Sequence, residues 1–192
     1  KLCLEGFQSG LSWLTILRKR DNFRAAFAGF DPTVVATYGT DDVERLLSDA
    51  GIVRHRGKIE AAIANASAMI AAQERCGSIA SLIWSFEPKR RGRPVPTDLR
   101  DVPPRSDQST AMAKALKQLG FRFIGPTTAY AAMQSLGVVN DHLKGCHVRS
   151  ACEADRAAAV DEQQHGQVVH PIGLGHDLVG IEQHRETDRM RG

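Results

Sequence analysis

Apolar residues recur at intervals of three and four along the first third of the chain: Leu11, Leu14 and Leu17, then Phe23, Phe27 and Phe30. That spacing predicts amphipathic helices broken near Arg20–Asn22. Asp31-Pro32 reads as a helix start, because Asp accepts from free N–H groups and Pro fits the first helical position, where no N–H is needed. Asp41-x-x-Glu44 resembles a capping box ahead of Val43, Leu46 and Leu47, with Gly51 as the stop. From Lys58 to Ala72 an Ala-rich run carries Ile59, Ile63, Ala66 and Ile70 on one stripe, predicting a longer helix. Thr110–Leu119 and Thr127–Leu136 predict two more, the second closing at Gly137. No segment sustains period-two alternation, so the body is expected to be all-α, a helical bundle.

Other stretches break the pattern. Leu2, Cys3 and Leu4 already read as the inside of a helix and the first residue is Lys1, so the expectation is a chain that lacks an upstream segment. Glu87 to Ser109 holds five prolines and the basic run Lys89-Arg90-Arg91-Gly92-Arg93, which predicts a long surface loop, functional or mobile. Residues 148–192 contain no Phe, Trp, Tyr or Lys and four of the seven histidines. Such a segment buries too little apolar surface to offset its ordering entropy, so a disordered C-terminal tail is expected, separate from a domain over residues 1–147.

Composition narrows the class. With 192 residues and 42% hydrophobic content the chain can bury one core of ordinary size. Its apolar runs fall short of the roughly 18 residues of a membrane span, and the irregularly spaced Cys3, Cys76, Cys146 and Cys152 do not form a secreted disulfide framework. A cytoplasmic, monomeric protein with no membrane partner is the expectation. The net charge of +3 hides a division: residues 1–147 carry 20 Lys and Arg against 14 Asp and Glu, whereas 148–192 carry 5 against 8. A basic body is compatible with a polyanionic partner, although charge alone does not select one.

Three constellations could carry chemistry. In Cys3-Leu4-Glu5-Gly6-Phe7-Gln8-Ser9-Gly10-Leu11-Ser12-Trp13 a carboxylate closes one helix, a glycine-bracketed loop follows, and an aromatic opens the next. An acid and a ring sharing a pocket suit a nucleobase, one for its edge and one for its face. A solvated Glu and a core Trp beside Leu11 and Leu14 would fit the same letters. Gly51-Ile52-Val53-Arg54-His55-Arg56-Gly57-Lys58 joins two helices through a tight basic turn whose backbone N–H groups could grip a phosphate, or simply make a hairpin with solvated charges. His142-x-x-x-Cys146 sets imidazole and sulfur one helical turn apart, as zinc prefers, but a structural site takes four ligands. No nucleophile arrangement, phosphate loop or dinucleotide fingerprint is present.

Leu4-Glu5-Gly6-Phe7-Gln8-Ser9-Gly10-Leu11-Ser12-Trp13, Asp49 through Ile59, Gly120-Phe121-Arg122-Phe123-Ile124-Gly125 and Gly137-Val138-Val139-Asn140-Asp141-His142 together resemble the type I, constitutive DNA-3-methyladenine glycosylases in order and spacing. The resemblance implies a helix-hairpin-helix fold that flips 3-methyladenine out of alkylated duplex DNA and hydrolyses its N-glycosidic bond. It assigns catalysis and base binding to Glu5, with Trp13 stacked on the base. DNA contacts would come from Gln8, Ser9, Gly10 and Leu11 in the loop. Gly51, Val53, Arg54, His55, Arg56 and Lys58 would supply the rest from the hairpin. The resemblance also implies a structural zinc on His142 and Cys146, completed by a Cys and a His from a leading segment absent from this chain, which leaves the ligand set incomplete. Like the family, the chain lacks the catalytic Asp that many helix-hairpin-helix glycosylases carry after the hairpin. The competing expectations are a non-catalytic helix-hairpin-helix DNA-binding module and an inactive truncated glycosylase.

Overall fold

The computed structural model describes residues 1–89 and 93–164. Among these residues there are helices and no strands: α1 (Leu2–Gln8), α2 (Trp13–Arg18), α3 (Arg20–Ala26), α4 (Pro32–Val35), α5 (Thr40–Ser48), α6 (Arg56–Cys76), α7 (Ile79–Trp84), α8 (Asp107–Gln118), α9 (Pro126–Ser135) and α10 (Arg149–Gln164). The all-α expectation holds.

Local chemistry sets most boundaries. Asp31 accepts from the Thr33 amide at 2.9 Å and Pro32 opens α4, as the sequence signature requires. α5 begins at Thr40, two residues before an Asp41 cap would start it. Its cap is Asp42 reaching back to the Gly39 amide at 3.1 Å, which leaves Glu44 for another task. Ser106 and Ser109 exchange side-chain and backbone hydrogen bonds of 2.9 and 3.1 Å, so α8 starts at Asp107 rather than Thr110. α7 escaped the periodicity because six residues are too few to show a stripe; Ser78, accepting from the Ala80 amide at 3.1 Å, marks its start.

Two apolar cores lie along α6, whose 21 residues span about 32 Å at 1.5 Å per residue. Ile59, Ala62 and Ala66 face the first core, with Phe7, Ile16, Phe23, Phe27 and Leu46. Ala68 and Ala72 face the second, with Trp84, Met112, Leu116, Tyr130 and Met133. The small side chains of α6 let neighbouring helices approach closely, and the Phe7 ring seats α1 against Phe23 and Phe27 at 4.6 and 5.7 Å between centroids.

The disordered-tail expectation is overturned for the first part of residues 148–192. α10 occupies 149–164, Ala159 is buried in the second core, and Arg156 is 4% exposed. The Arg156 guanidinium donates to the Val138 carbonyl at 3.0 Å and pairs with Glu87 at 2.8 Å and Glu153 at 3.1 Å. Composition misled because a helix of Ala and charged residues needs few large apolar groups once one arginine supplies the anchor. The remainder of the expected tail, residues 165–192, lies outside the described residues. Residues 90–92 of the basic run lie outside the described residues; in the described part of the proline-rich loop Arg93 donates to the Tyr130 hydroxyl at 2.9 Å and pairs with Asp141, and Pro96 accepts from the Lys144 amide at 2.8 Å.

Removing the guanidinium would deprive the buried Val138 carbonyl of a donor and break the ion pairs with Glu87 and Glu153. Arg156→Ala is therefore expected to lower the urea-unfolding free energy by about 3 kcal/mol. A change under about 0.5 kcal/mol, the range of ordinary surface substitutions, would show that α10 is not part of the cooperative fold.

Candidate active site and the adjoining basic turn

α1 ends in a polar turn that the sequence makes almost unavoidable. Gly10 takes φ +81°, the left-handed region open to glycine. The turn closes through the Leu11 amide on the Gln8 carbonyl at 2.7 Å and the Gln8 side-chain amide on the Leu11 carbonyl at 2.8 Å. Ser12 then caps α2, accepting from the Thr15 amide at 3.2 Å. Glu5 and Trp13 are thereby carried on two helices folded back on each other across a short turn. Ser9, Gly10 and Leu11 are left exposed at its tip.

Glu5 is 1% exposed, among the most buried side chains of the described residues. One carboxylate oxygen lies 3.1 Å from the Lys1 ammonium, and the other, Oε2, is buried with no hydrogen-bond partner. Burial pushes its pKa above the ordinary carboxylate value, a shift that the charge of Lys1 opposes. The same Lys1 ammonium sits 4.0 Å from the centroid of the half-buried Trp13 ring. A cation is held between a carboxylate and an aromatic face.

The second element is the turn between α5 and α6. Gly51 leaves room for its neighbours: a Cβ there would lie 2.8 Å from the Asp49 carboxylate and 3.1 Å from the Asn22 side chain, and those side chains would have to shift. Lys19 donates to the Ala50 carbonyl at 2.7 Å and Asn22 to the Gly51 carbonyl at 3.3 Å, so α2 and α3 hold the turn from behind. Neither residue was singled out in the sequence, because nothing local indicates a contact some thirty positions away.

The basic cluster divides into separate tasks. Arg54 is exposed, with no hydrogen bond or ion pair from its side chain among the described residues. His55 is exposed but its Nδ1 accepts from the Lys58 amide at 3.2 Å, making it the N-cap of α6. Arg56 pairs with Glu44 at 2.6 Å and Glu60 at 3.8 Å, bracing α5 against α6. Val53 is half buried among apolar neighbours.

Lys58 corrects the sequence reading. Expected on a DNA-facing surface, it is instead 8% exposed, and its ammonium donates to the Phe7 carbonyl at 2.8 Å and the Ser9 carbonyl at 2.5 Å. It ties the start of α6 to the end of the helix that carries Glu5. Desolvation by burial lowers its pKa, the direction expected of a buried amine. A cavity with room for about one water lies beside it, lined by Cys3, Gly6, Phe7, Lys58, Asn65 and Phe123. Neither Glu5 nor Trp13 lines this space, and it is far too small for a purine.

The His142 Nδ1 and Cys146 Sγ lie 3.4 Å apart. That separation suits two donors on one metal, but they make half a tetrahedral set, and among the described residues no group of three or more His, Cys, Asp or Glu is arranged to hold an ion. These residues do not by themselves fit a closed structural zinc site. Among the described residues no helix is long and apolar enough to cross a membrane.

Lys58→Met keeps the aliphatic stem and deletes both donations. It is expected to lower stability by about 1–3 kcal/mol and to speed amide hydrogen exchange selectively at Ser9, Gly10 and Leu11. Unchanged protection of those amides would remove Lys58 from its role as the tie.

Comparison with known proteins agrees with this architecture. The sequence profile of the methyladenine glycosylases matches residues 1–150. The DNA-3-methyladenine glycosylase 1 of Escherichia coli (strain K12) is 48% identical over 145 residues, covering 76% of this chain and 78% of that protein. The DNA-3-methyladenine glycosylase of Haemophilus influenzae is 47% identical over 153 residues, covering 79% and 82%. A crystal structure of 3-methyladenine DNA glycosylase I superposes with a TM-score of 0.71 at 48% identity, covering 76% of this chain and 80% of that one. The Staphylococcus aureus enzyme, in a structure addressing 3-methyladenine recognition, gives 0.72 at 35% identity, covering 77% and 79%. Identity near one half across three quarters of the chain, together with a shared helical fold, means that this protein belongs to the methyladenine glycosylase family.

Proposed function

We propose that this chain excises 3-methyladenine from alkylated duplex DNA, and the observation that carries the reading is the Lys1 ammonium lodged between Glu5 and Trp13. Methylation at N3 makes adenine a cation. A site that already holds a cation against a buried carboxylate and an aromatic face favours that base over neutral adenine through ion pairing and cation–π attraction. The incoming base displaces the ammonium, and the partnerless Oε2 of Glu5 is available to accept from its edge. Relatives named for 3-methyladenine, one of them solved in complex with the base, support the same substrate.

Little acid assistance is needed. The cationic base is a good leaving group: the C1′–N9 bond breaks, its electron pair neutralises the base, and water adds to C1′ with loss of a proton, leaving an abasic sugar. The protein's contribution is to extrude the nucleotide, at a cost of a few kcal/mol, and to hold the cation against Glu5 and Trp13. In this reading α5, the turn and α6 form the helix-hairpin-helix that grips the backbone, with Arg54 and the turn amides as phosphate contacts. Gln8, Ser9, Gly10 and Leu11 face the gap that flipping opens. Duplex DNA as the form acted on, a monomeric state and a cytoplasmic location belong to the same proposal. Zinc remains an expectation that needs two donors besides His142 and Cys146; equilibrium dialysis against Cys146→Ser, which should lose any bound zinc, reads it directly.

Release of free 3-methyladenine from methylated duplex DNA tests the proposal. The unaltered chain is expected to release the base and Glu5→Gln to lose release while keeping duplex affinity. Duplex binding without release by the unaltered chain would make this a binding module instead. Because Glu5 must be ionised to attract the cation and its pKa is raised, excision should fall on acidification at a higher pH than an ordinary glutamate would cause.

Stability should move the opposite way. A folded-state carboxyl with a raised pKa contributes most below its unfolded value, and that contribution is lost as pH rises through the raised folded value. Glu5→Gln is therefore expected to raise the melting temperature at pH 7 while abolishing excision. A lower melting temperature would show that the Lys1 pairing outweighs the burial of the charge.

A further inference from the structure

The loop between α8 and α9 presents a side chain that the site described so far does not use. Phe121 and Ile124 are buried, and Asn65 clamps Arg122, the residue before Phe123, from both sides. Its side-chain oxygen accepts from the Arg122 amide at 2.7 Å and its amide donates to the Arg122 carbonyl at 3.1 Å. Held by those anchors, Phe123 has φ +55° and is 46% exposed. An aromatic residue in the left-handed region is uncommon; Phe30 shares it at φ +64°, so what sets Phe123 apart is its exposure beside basic residues. The ring is not part of either apolar core: about half of it is exposed, and the rest lies against Gly57, His55 and the small cavity beside Lys58.

The neighbours of the ring are those of the proposed DNA surface. A Cβ at Gly6, one residue after Glu5, would lie 3.7 Å from the Phe123 Cβ. A Cβ at Gly57, in the first turn of α6, would lie 3.9 Å from the ring tip. The ring meets the His55 imidazole edge-on at 6.4 Å. Phe123 thus bridges the helix carrying the carboxylate and the turn that would hold the backbone; His55 and Arg122 are exposed beside it, and Arg54, next to His55 in the chain, is exposed as well. An exposed aromatic among basic groups matches nucleic acid: the charges follow phosphates and the ring takes a base face or sugar. A protein partner would instead call for a broader apolar patch.

We propose that Phe123 is a DNA-contacting residue whose ring packs on the nucleotide flanking the flipped one, where extrusion leaves a base face unstacked, while Arg122 beside it meets a phosphate. This rests on the glycosylase reading above. It requires the ring to add to duplex affinity without touching the excised base. It also separates the two neighbours, because a phosphate contact is salt-dependent through counterion release and a stacking contact is not.

Phe123→Gly is the informative variant, since glycine accepts φ +55° and the fold should not suffer. Three quantities would be compared with the unaltered chain: melting temperature, affinity for free 3-methyladenine, and affinity for a duplex carrying an abasic-site analogue across a salt series. The expected result is a melting temperature equal to or above that of the parent, unchanged binding of the free base, and duplex affinity reduced roughly tenfold or more with the same salt slope. Arg122→Ala should weaken duplex binding and shallow that slope by about one unit. Undiminished duplex affinity in Phe123→Gly overturns the proposal, as does a parallel loss of free-base binding, which would place the ring in the base pocket. A parent chain that binds neither base nor duplex defeats the glycosylase reading and this inference together, whereas a working parent with an indifferent Phe123→Gly defeats only the latter.

Discussion

The ammonium of Lys58, shared between the carbonyls of Phe7 and Ser9, is the joint on which the functional arrangement depends. α1 is only seven residues long and would be a poor platform by itself. Its end is held by a buried cation from the first turn of α6, and its inner face by Phe7 among Phe23 and Phe27. A single short helix therefore positions Glu5, the turn that follows and, through Gly6, the backbone against Phe123. Lys58 thereby ties the turn between α5 and α6 to the helix that carries Glu5.

Burial explains the character of the site as much as geometry does. A carboxylate at 1% exposure is electrostatically unfavourable until a cation arrives, and here Lys1 supplies one. Low local polarity strengthens any ion pair formed there. Under the proposed function, that environment would let one acid discriminate between a methylated, cationic purine and its neutral parent, which differ little in shape. The same burial costs stability, so selectivity and fold compete at Glu5.

α10 shows how an element outside the recognisable blocks can still belong to the core. Its composition is poor in large apolar residues, yet Arg156 satisfies a carbonyl and two carboxylates and Ala159 fills a gap in the second core. The proline-rich loop is treated similarly, with Arg93 gathered by Tyr130 and Asp141. In both places a guanidinium substitutes for the apolar anchor that periodicity looks for, because five directed donors can organise several oxygens at once.

The sequence by itself determined the helical class, most helix starts, the loop between Glu5 and Trp13 and the family, since these follow from the 3.6-residue period, from caps acting over two or three positions and from short blocks of identity. It could not show that Lys58 turns inward while Arg54 turns out, since four basic residues in one turn look alike until the partners of each are known. Nor could it reveal Lys19, Asn22 and Asn65 as supports, or Phe123 as an exposed ring held in a left-handed conformation. Those assignments depend on contacts between residues some 30 to 60 positions apart. Only the packing of two cores along α6 brings them together, so the roles of individual charges and rings were decided by tertiary structure alone.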